Sequence, residues 1–500
     1  MANLRKRTLS GLGWSGASQF FGQGLQFVIS AVLARLLSPR EYGLLGMVVV
    51  FTGFATSFSD LSLGASIIQK QDVSKKHLSS VFWINVLIGG FLSLVFLLLS
   101  PLIADFYSEP ALRTLTAVLA FTFTVNSLNV VQTALLDKSL NFRAKFQVDV
   151  VSISIAGTAA LVMALSGAGV WSLVGQTLIV AMIRVAVMWR LSDWRPQMSF
   201  DWSAIKELMR FSKHLVGFGV VHYWSRNFDK LLIGRLLGSA ALGIYGLSDR
   251  LMRLPLTNVT NITHSVMFPA LSAMQQNVEG MKRVYLRANR MIAVLTFPLM
   301  TGLCVLAEPV IVAVYGNKWQ GAIAVVQILC FAGMSQSVYN TASWIFLSRG
   351  RTDILFRLGV YATAIRIAGV FVGIHWGLTG VAWAYVLGGV LIWYPTWASA
   401  GRLIQTRFYE LLKNLAGPFY CSAAMGALIW TSDKWMFGGQ PIWLRLAVEV
   451  PAGILIYWFL INQFQLLAWK DVRDAVLEMG GRQSRFVQWL LGGDSQVTSE

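Results

Sequence analysis

Charge is scarce in this 500-residue chain: Asp, Glu, Lys and Arg together fill only 13% of its positions. A soluble chain of this size needs more charge than that to cover its surface, which excludes an ordinary soluble globular protein. Cysteine is nearly absent. Cys304, Cys330 and Cys421 all fall in or beside apolar runs, which predicts buried small hydrophobes and neither a disulfide framework nor a metal site. No G-x-x-x-x-G-K-[ST] phosphate loop occurs, so nucleotide hydrolysis is not expected to power the protein. The basic cluster Arg5–Arg7 leads into a Gly- and Gln-studded run without a small-residue cleavage site, which predicts an uncleaved anchor.

What the chain does have is apolar length. Hydrophobic residues make up 55% of it, in runs of about 20 residues, each enough to cross the hydrocarbon layer of a bilayer. The runs do not alternate as β-barrel strands would. The expected fold class is an all-α polytopic membrane protein with about 14 transmembrane helices.

The formal charge of +18 invites a nucleic-acid partner, but its placement argues otherwise. Assigning inter-span segments to alternate sides puts Arg5, Lys6, Arg7, Lys75, Lys76, Lys138, Arg143, Arg190, Lys282, Arg283, Arg349, Arg351, Lys413 and Lys470 on one side. The other side keeps only Arg40, Arg113, Lys318 and Lys434. That is the positive-inside bias, so both termini are expected in the cytoplasm and no nucleic acid is expected as a partner. Loops on the second side are all short, which leaves little room for a catalytic domain, and no enzyme activity is expected.

One corner is written twice. "LARLLSPREYGLLG" (Leu33–Gly46) returns as "IGRLLGSAALGIYG" (Ile233–Gly246), with Arg35, Leu36, Leu37, Gly43 and Gly46 matched 200 positions later. Each corner joins the first and second spans of a six-span unit, predicting a parallel repeat related by an axis along the membrane normal. The expected domains are a first bundle (1–191), an amphipathic cytoplasmic linker (192–213) and a second bundle (214–402). Two further spans (413–463) and an amphipathic, disordered tail (464–500) follow.

The two copies differ in charge. Where the second has His222, Arg226, Asp229, Lys230, Asp249, Arg250 and Arg253, the first has Gly22, Gln26, Ile29, Ser30, Val49, Val50 and Gly53. At 1.5 Å per residue, Arg226 and Asp229 lie roughly 17 and 12 Å below the corner, and Asp249, Arg250 and Arg253 roughly 14, 15 and 20 Å below it. Charges at such depth are functional candidates by default. Arg226, Lys230, Arg250 and Arg253 outnumber Asp229 and Asp249, and Arg366 adds to the excess. A cavity with surplus guanidinium groups suits phosphate, through the planar donor fork of Arg. The bland alternative is that Arg226–Asp229 and Asp249–Arg253 are intrahelical salt bridges that orient helices. Asp229 and Asp249 are candidates for balancing charge or for coupling to Na+ or H+; no cofactor is expected.

Neutral polar residues mark the first half: Gln19, Gln23 and Gln26 on one helical stripe, and Asn129 further on. With His222 they are candidates for sugar hydroxyls, or they glue helices together. Tyr223, Trp224, Trp383, Tyr385 and Trp393 either stack on sugar rings or belong to interfacial aromatic belts.

"LARLLSPREYGLLGMVVVF" with "LSLGASIIQKQ", then "FDKLLIGRLLGSAALGIYGLSDRLMRLP" and "VMFPALSAMQQN", resemble the Wzx-type polysaccharide flippases over about residues 5–410. Those belong to the multidrug/oligosaccharidyl-lipid/polysaccharide exporter superfamily, and the colanic-acid-exporter-like branch is the nearest likeness. The resemblance implies two six-helix bundles arranged as a V. It also implies translocation of undecaprenyl-pyrophosphate-linked oligosaccharide across the bacterial inner membrane by alternating access. Its implied partners are that lipid-linked glycan, membrane lipid, and polysaccharide polymerase and export machinery. A cation-coupled multidrug antiporter would call for a carboxylate-dominated cavity, which the surplus of Arg disfavours. A peptidoglycan-precursor flippase shares the pyrophosphate carrier and is not separated by charge.

Overall fold

The computed structural model describes residues 21–59, 63–70, 72–139, 141–437 and 439–464, and among them every regular element is a helix. The start of the first span, Gln19 and the tail from 465 lie outside the described residues. Among the described residues, eight helical segments are long and apolar enough to cross a membrane, nine if one bent pair is a single span. One of them, Thr352–Leu403, is 52 residues long and holds two helices about a short 3-10 turn.

The chain divides into two compact units, 1–246 with 314–319 and 247–313 with 320–500. The first holds α1 (Phe21–Leu36), α2 (Pro39–Ser59), α3 (Leu63–Gln69), α4 (Lys75–Tyr107), α5 (Ala111–Ser127), α6 (Val130–Lys138), α7 (Phe142–Leu165) and α8 (Val170–Leu191). Local chemistry sets several of these starts. The Ser74 side chain accepts from the His77 backbone N–H to open α4, and Asn141 caps Ala144 to open α7. α5 and α6 are bent by 45° at Leu128–Asn129, so this span is broken rather than straight.

In α4, Leu87, Phe91, Leu94, Leu98 and Leu102 are all exposed. Their spacing of three or four places them on one face. In water such a stripe would be a liability; against lipid tails it costs nothing. The inward face of the unit is filled by Ile29, Leu33, Leu37, Ala160 and Leu173, which join α1 to α7 and α8.

The long helix α9 (Trp202–Ala273) carries the linker segment straight into the seventh span and is interrupted only at Gly238, whose φ of 86° is non-helical. Only a residue without Cβ adopts that conformation freely, so the second corner turns there. The side chains of 207–222, including His222, lie outside the described residues.

The second unit holds α10 (Val278–Val305), α12 (Ala322–Tyr339), α13 (Ala342–Ser348), α14 (Thr352–Gly373), α15 (Gly377–Leu403), α16 (Phe408–Ser432) and α17 (Ile442–Gln463), with α11 (Ala307–Tyr315) straddling the boundary. Tyr285, Ile292, Phe297, Trp344, Trp397 and Leu411 form its core. Lipid supplies no hydrophobic drive between helices, so buried polar pairs help to fix them. Thr341 bridges the α10 residues Tyr285 and Asn289, at 2.8 Å to each. α10 packs on α12 and α16, and α16 on α17.

Candidate functional site

The two corners pack on one another within the first unit. A methyl group on Gly43 would run into the carbonyl oxygen of Ser239, and one on Gly243 into that of Pro39. Position 39 matches 239 and 43 matches 243 in the repeat, so the crossing is reciprocal. Arg35 and Arg235 also serve matched ends. Arg35 Nε donates to the Val314 carbonyl at 3.0 Å, while Arg235 Nη1 lies 3.2 Å from Ser108 Oγ, its guanidinium over the Phe106 ring. Trp319 Nε1 donates to Ala34 O at 2.7 Å, and Ser239 Oγ donates to Glu109 at 3.0 Å.

Below this crossing, still in the first unit, Asp229 is held on two sides. Its Oδ2 accepts the Tyr245 hydroxyl at 2.7 Å, and its Oδ1 accepts the Lys230 backbone N–H at 2.8 Å. The Tyr245 bond ties the two arms of α9 together across the corner. Arg226 is exposed, Lys230 is half-buried, and Tyr223 donates to Val50 O at 2.7 Å. Gln23 and Gln26 are exposed on α1, whereas Asn129 is buried at the α5–α6 break with neither amide atom hydrogen-bonded.

The second unit gathers Asp249, Arg253 and Arg366 around one tyrosine. Buried Asp249 receives Arg253 Nε at 2.6 Å, the i,i+4 pair of the bland reading. The same guanidinium reaches on, with Nη2 3.5 Å from the Tyr385 hydroxyl. Gln336 donates to that hydroxyl at 2.8 Å. Arg366 stands over the Tyr385 ring, 5.8 Å from its centroid, and donates to Tyr339 at 2.9 Å. Arg250 is exposed. Two guanidinium groups therefore converge on Tyr385, one at its edge and one on its face, with the Asp249 carboxylate beside Arg253.

Sequence reasoning found both arginines. It does not point to Gln336, Tyr339 or Tyr245, and it leaves Tyr385 open between sugar stacking and an interfacial belt. Nothing in the spacing of one tyrosine on α15 signals that cations from α9 and α14 meet on it.

A chain of many bilayer-length apolar helices with a repeated corner is a multi-pass helical membrane protein. The fold matches a solved structure of the lipid II flippase MurJ in its inward closed conformation, with a TM-score of 0.74 at 14% identity, covering 90% of this chain and 98% of that one. The chain belongs to the polysaccharide biosynthesis protein family, whose model matches residues 32–324. It is similar to the teichuronic acid biosynthesis protein TuaB of Bacillus subtilis (strain 168), 27% identical over 488 residues, which is 96% of this chain and 99% of that protein. It is also 27% identical over 428 residues to the lipopolysaccharide biosynthesis protein WzxC of Escherichia coli (strain K12), covering 84% of this chain and 86% of the relative.

Proposed function

We propose that the protein is a flippase that carries undecaprenyl-pyrophosphate-linked oligosaccharide repeat units across the bacterial inner membrane for exopolysaccharide, capsule or O-antigen synthesis. It works by alternating access, with both termini in the cytoplasm. The observation that carries this reading is the convergence of Arg253 and Arg366 on Tyr385 inside membrane-spanning helices. Guanidinium groups gathered inside membrane-spanning helices suit an anion, and a diphosphate offers oxygens matched to their planar donor fork. Membership of a polysaccharide biosynthesis family supports the carrier of a polysaccharide precursor as that anion. We assign Arg226, Lys230 and Arg250 to diphosphate binding as well, Asp229 and Asp249 to holding the cations in place, and Gln19, Gln23, Gln26, Asn129 and His222 to the sugars. Na+ or H+ drives the cycle, and a polysaccharide polymerase receives the product.

The MurJ-like fold favours a second reading, a peptidoglycan-precursor flippase, since MurJ is a lipid II flippase. Both readings use the same anionic head. Reconstitution in proteoliposomes with a fluorescent polyprenyl-pyrophosphate oligosaccharide tests the first. Translocation of that lipid, unmatched by lipid II, is expected; translocation of lipid II alone would favour the second.

A further inference from the structure

The last two helices, α16 and α17, carry a charge cluster that the site above does not use. Arg445 on α17 directs its guanidinium fork at Asp433, at the end of α16: Nε donates to Oδ1 at 2.8 Å and Nη2 to Oδ2 at 2.7 Å. One turn deeper on the same helix face stands Glu449. It is 1% exposed, no N–H or O–H donor reaches either of its carboxyl oxygens among the described residues, and its polar neighbour is the carboxyl of Asp433. At 1.5 Å per residue it lies about 10 Å along the axis from Ile442, inside the hydrocarbon of a bilayer.

Glu449 borders a cavity of about 570 Å3 lined by Leu299 and Leu306 near α10, Ile429 of α16, and Gly453 and Ile454 of α17. It is the one charged residue in that lining. Arg445 and Asp433 are the charged groups facing it, and α10 presents only apolar side chains. Tyr457, the nearest hydroxyl in the lining, is already committed to the Val294 carbonyl at 3.0 Å. Lys434 is turned to the Trp430 ring, 5.2 Å from its centroid.

Two carboxyl groups thus share one guanidinium, and its Nε–Nη2 edge is taken by Asp433. A second ionised carboxyl in apolar surroundings, without a donor, is the most costly arrangement a membrane helix can hold. A metal cation would need several oxygens around it, and the cavity offers only one carboxyl group.

We propose that Glu449 is a proton-binding site. The carboxyl takes a proton from water when the cavity is hydrated and holds it as the neutral acid when the helices close. On losing the proton, the carboxylate competes with Asp433 for Arg445, which lies one turn away at i−4. Protonation thereby sets which carboxyl the guanidinium holds, and with it the packing of α17 on α16. The proposal stands apart from the transported substrate.

Infrared difference spectra of the full-length protein in lipid nanodiscs, titrated with pH, test it directly. Wild type is expected to show a protonated-carboxyl stretching band that titrates, shifts when the protein is made with isotope-labelled glutamate, and is lost in Glu449→Gln. Glutamate labelling needs no variant, so a poorly folding Glu449→Gln leaves the test intact. Absence of any titrating glutamate band would overturn the proposal. So would a band removed by added Na+ at constant pH, which would make the site a metal-cation site instead.

Discussion

Gly43 and Gly243 occupy matched positions in the two repeats, and each presses its bare Cα against the other repeat's helix-starting carbonyl, Ser239 and Pro39 respectively. The corner is written twice because its two copies are each other's packing surface. Glycine is required at the crossing for approach and not for backbone conformation.

Substituting either glycine by alanine is therefore expected to destabilise the protein by about 1–3 kcal/mol through overpacking. Gly246, on the same helix, has open space where a Cβ would go. Gly246→Ala is expected to be neutral or to stabilise by up to about 1 kcal/mol, because alanine is the better helix former. Thermal unfolding of the detergent-solubilised variants checks the contrast; equal effects at 243 and 246 would contradict the reciprocal crossing.

Tyr385→Phe removes the hydroxyl that Gln336 and Arg253 approach but leaves the ring beneath Arg366. The loss of one neutral hydrogen bond, about 0.5–1.5 kcal/mol, predicts a fall in translocation rate of up to roughly tenfold. Tyr385→Leu, which removes the ring as well, is expected to fall further. Initial rates in proteoliposomes compare the two; equal rates would mean that the ring face does not support Arg366.

Much of this was legible in the chain because its signals are local. Apolar runs of bilayer length mark helices whatever they pack against, and the 200-residue repeat shows in identical residues at Arg35/Arg235 and Gly43/Gly243. What stayed hidden depends on meetings between distant helices. The Tyr385 hub joins residues from α9, α12, α14 and α15, and a membrane tyrosine has the same sequence signal in a belt as in a site. Arg445 and Glu449 are charges in one apolar run, but the sequence does not show that Asp433, across a turn, takes the Arg445 guanidinium. The break between α5 and α6 was also unreadable, since Leu128–Asn129 interrupts the apolar run with neither Pro nor Gly.

Neutral changes at the exposed glutamines of α1, Gln23→Ala and Gln26→Ala, are expected to alter which repeat units are exported without ending transport. Every carrier-linked substrate has the same diphosphate but its own pattern of hydroxyls. Export of two unlike glycans in a flippase-deletion strain reads the preference; uniform loss for both would move these residues out of glycan contact.

The orientation follows from the Lys/Arg bias. Single cysteines at Arg113 and Gln440 should react with an impermeant maleimide in intact cells, while cysteines at either terminus should react only after permeabilisation. A C-terminus labelled in intact cells would contradict the proposed orientation.

The central claim is that guanidinium groups in the second unit hold a diphosphate. Its most direct test is binding of a short-chain polyprenyl diphosphate to purified Arg366→Gln and to Asp249→Asn/Arg253→Gln. The double change removes the carboxylate together with its cation, so no lone charge is left buried. Both variants are expected to stay folded and to bind at least tenfold more weakly than wild type, in line with the loss of charge-assisted contacts of about 1.5–3 kcal/mol. Wild-type affinity in both, with export intact, would contradict the account.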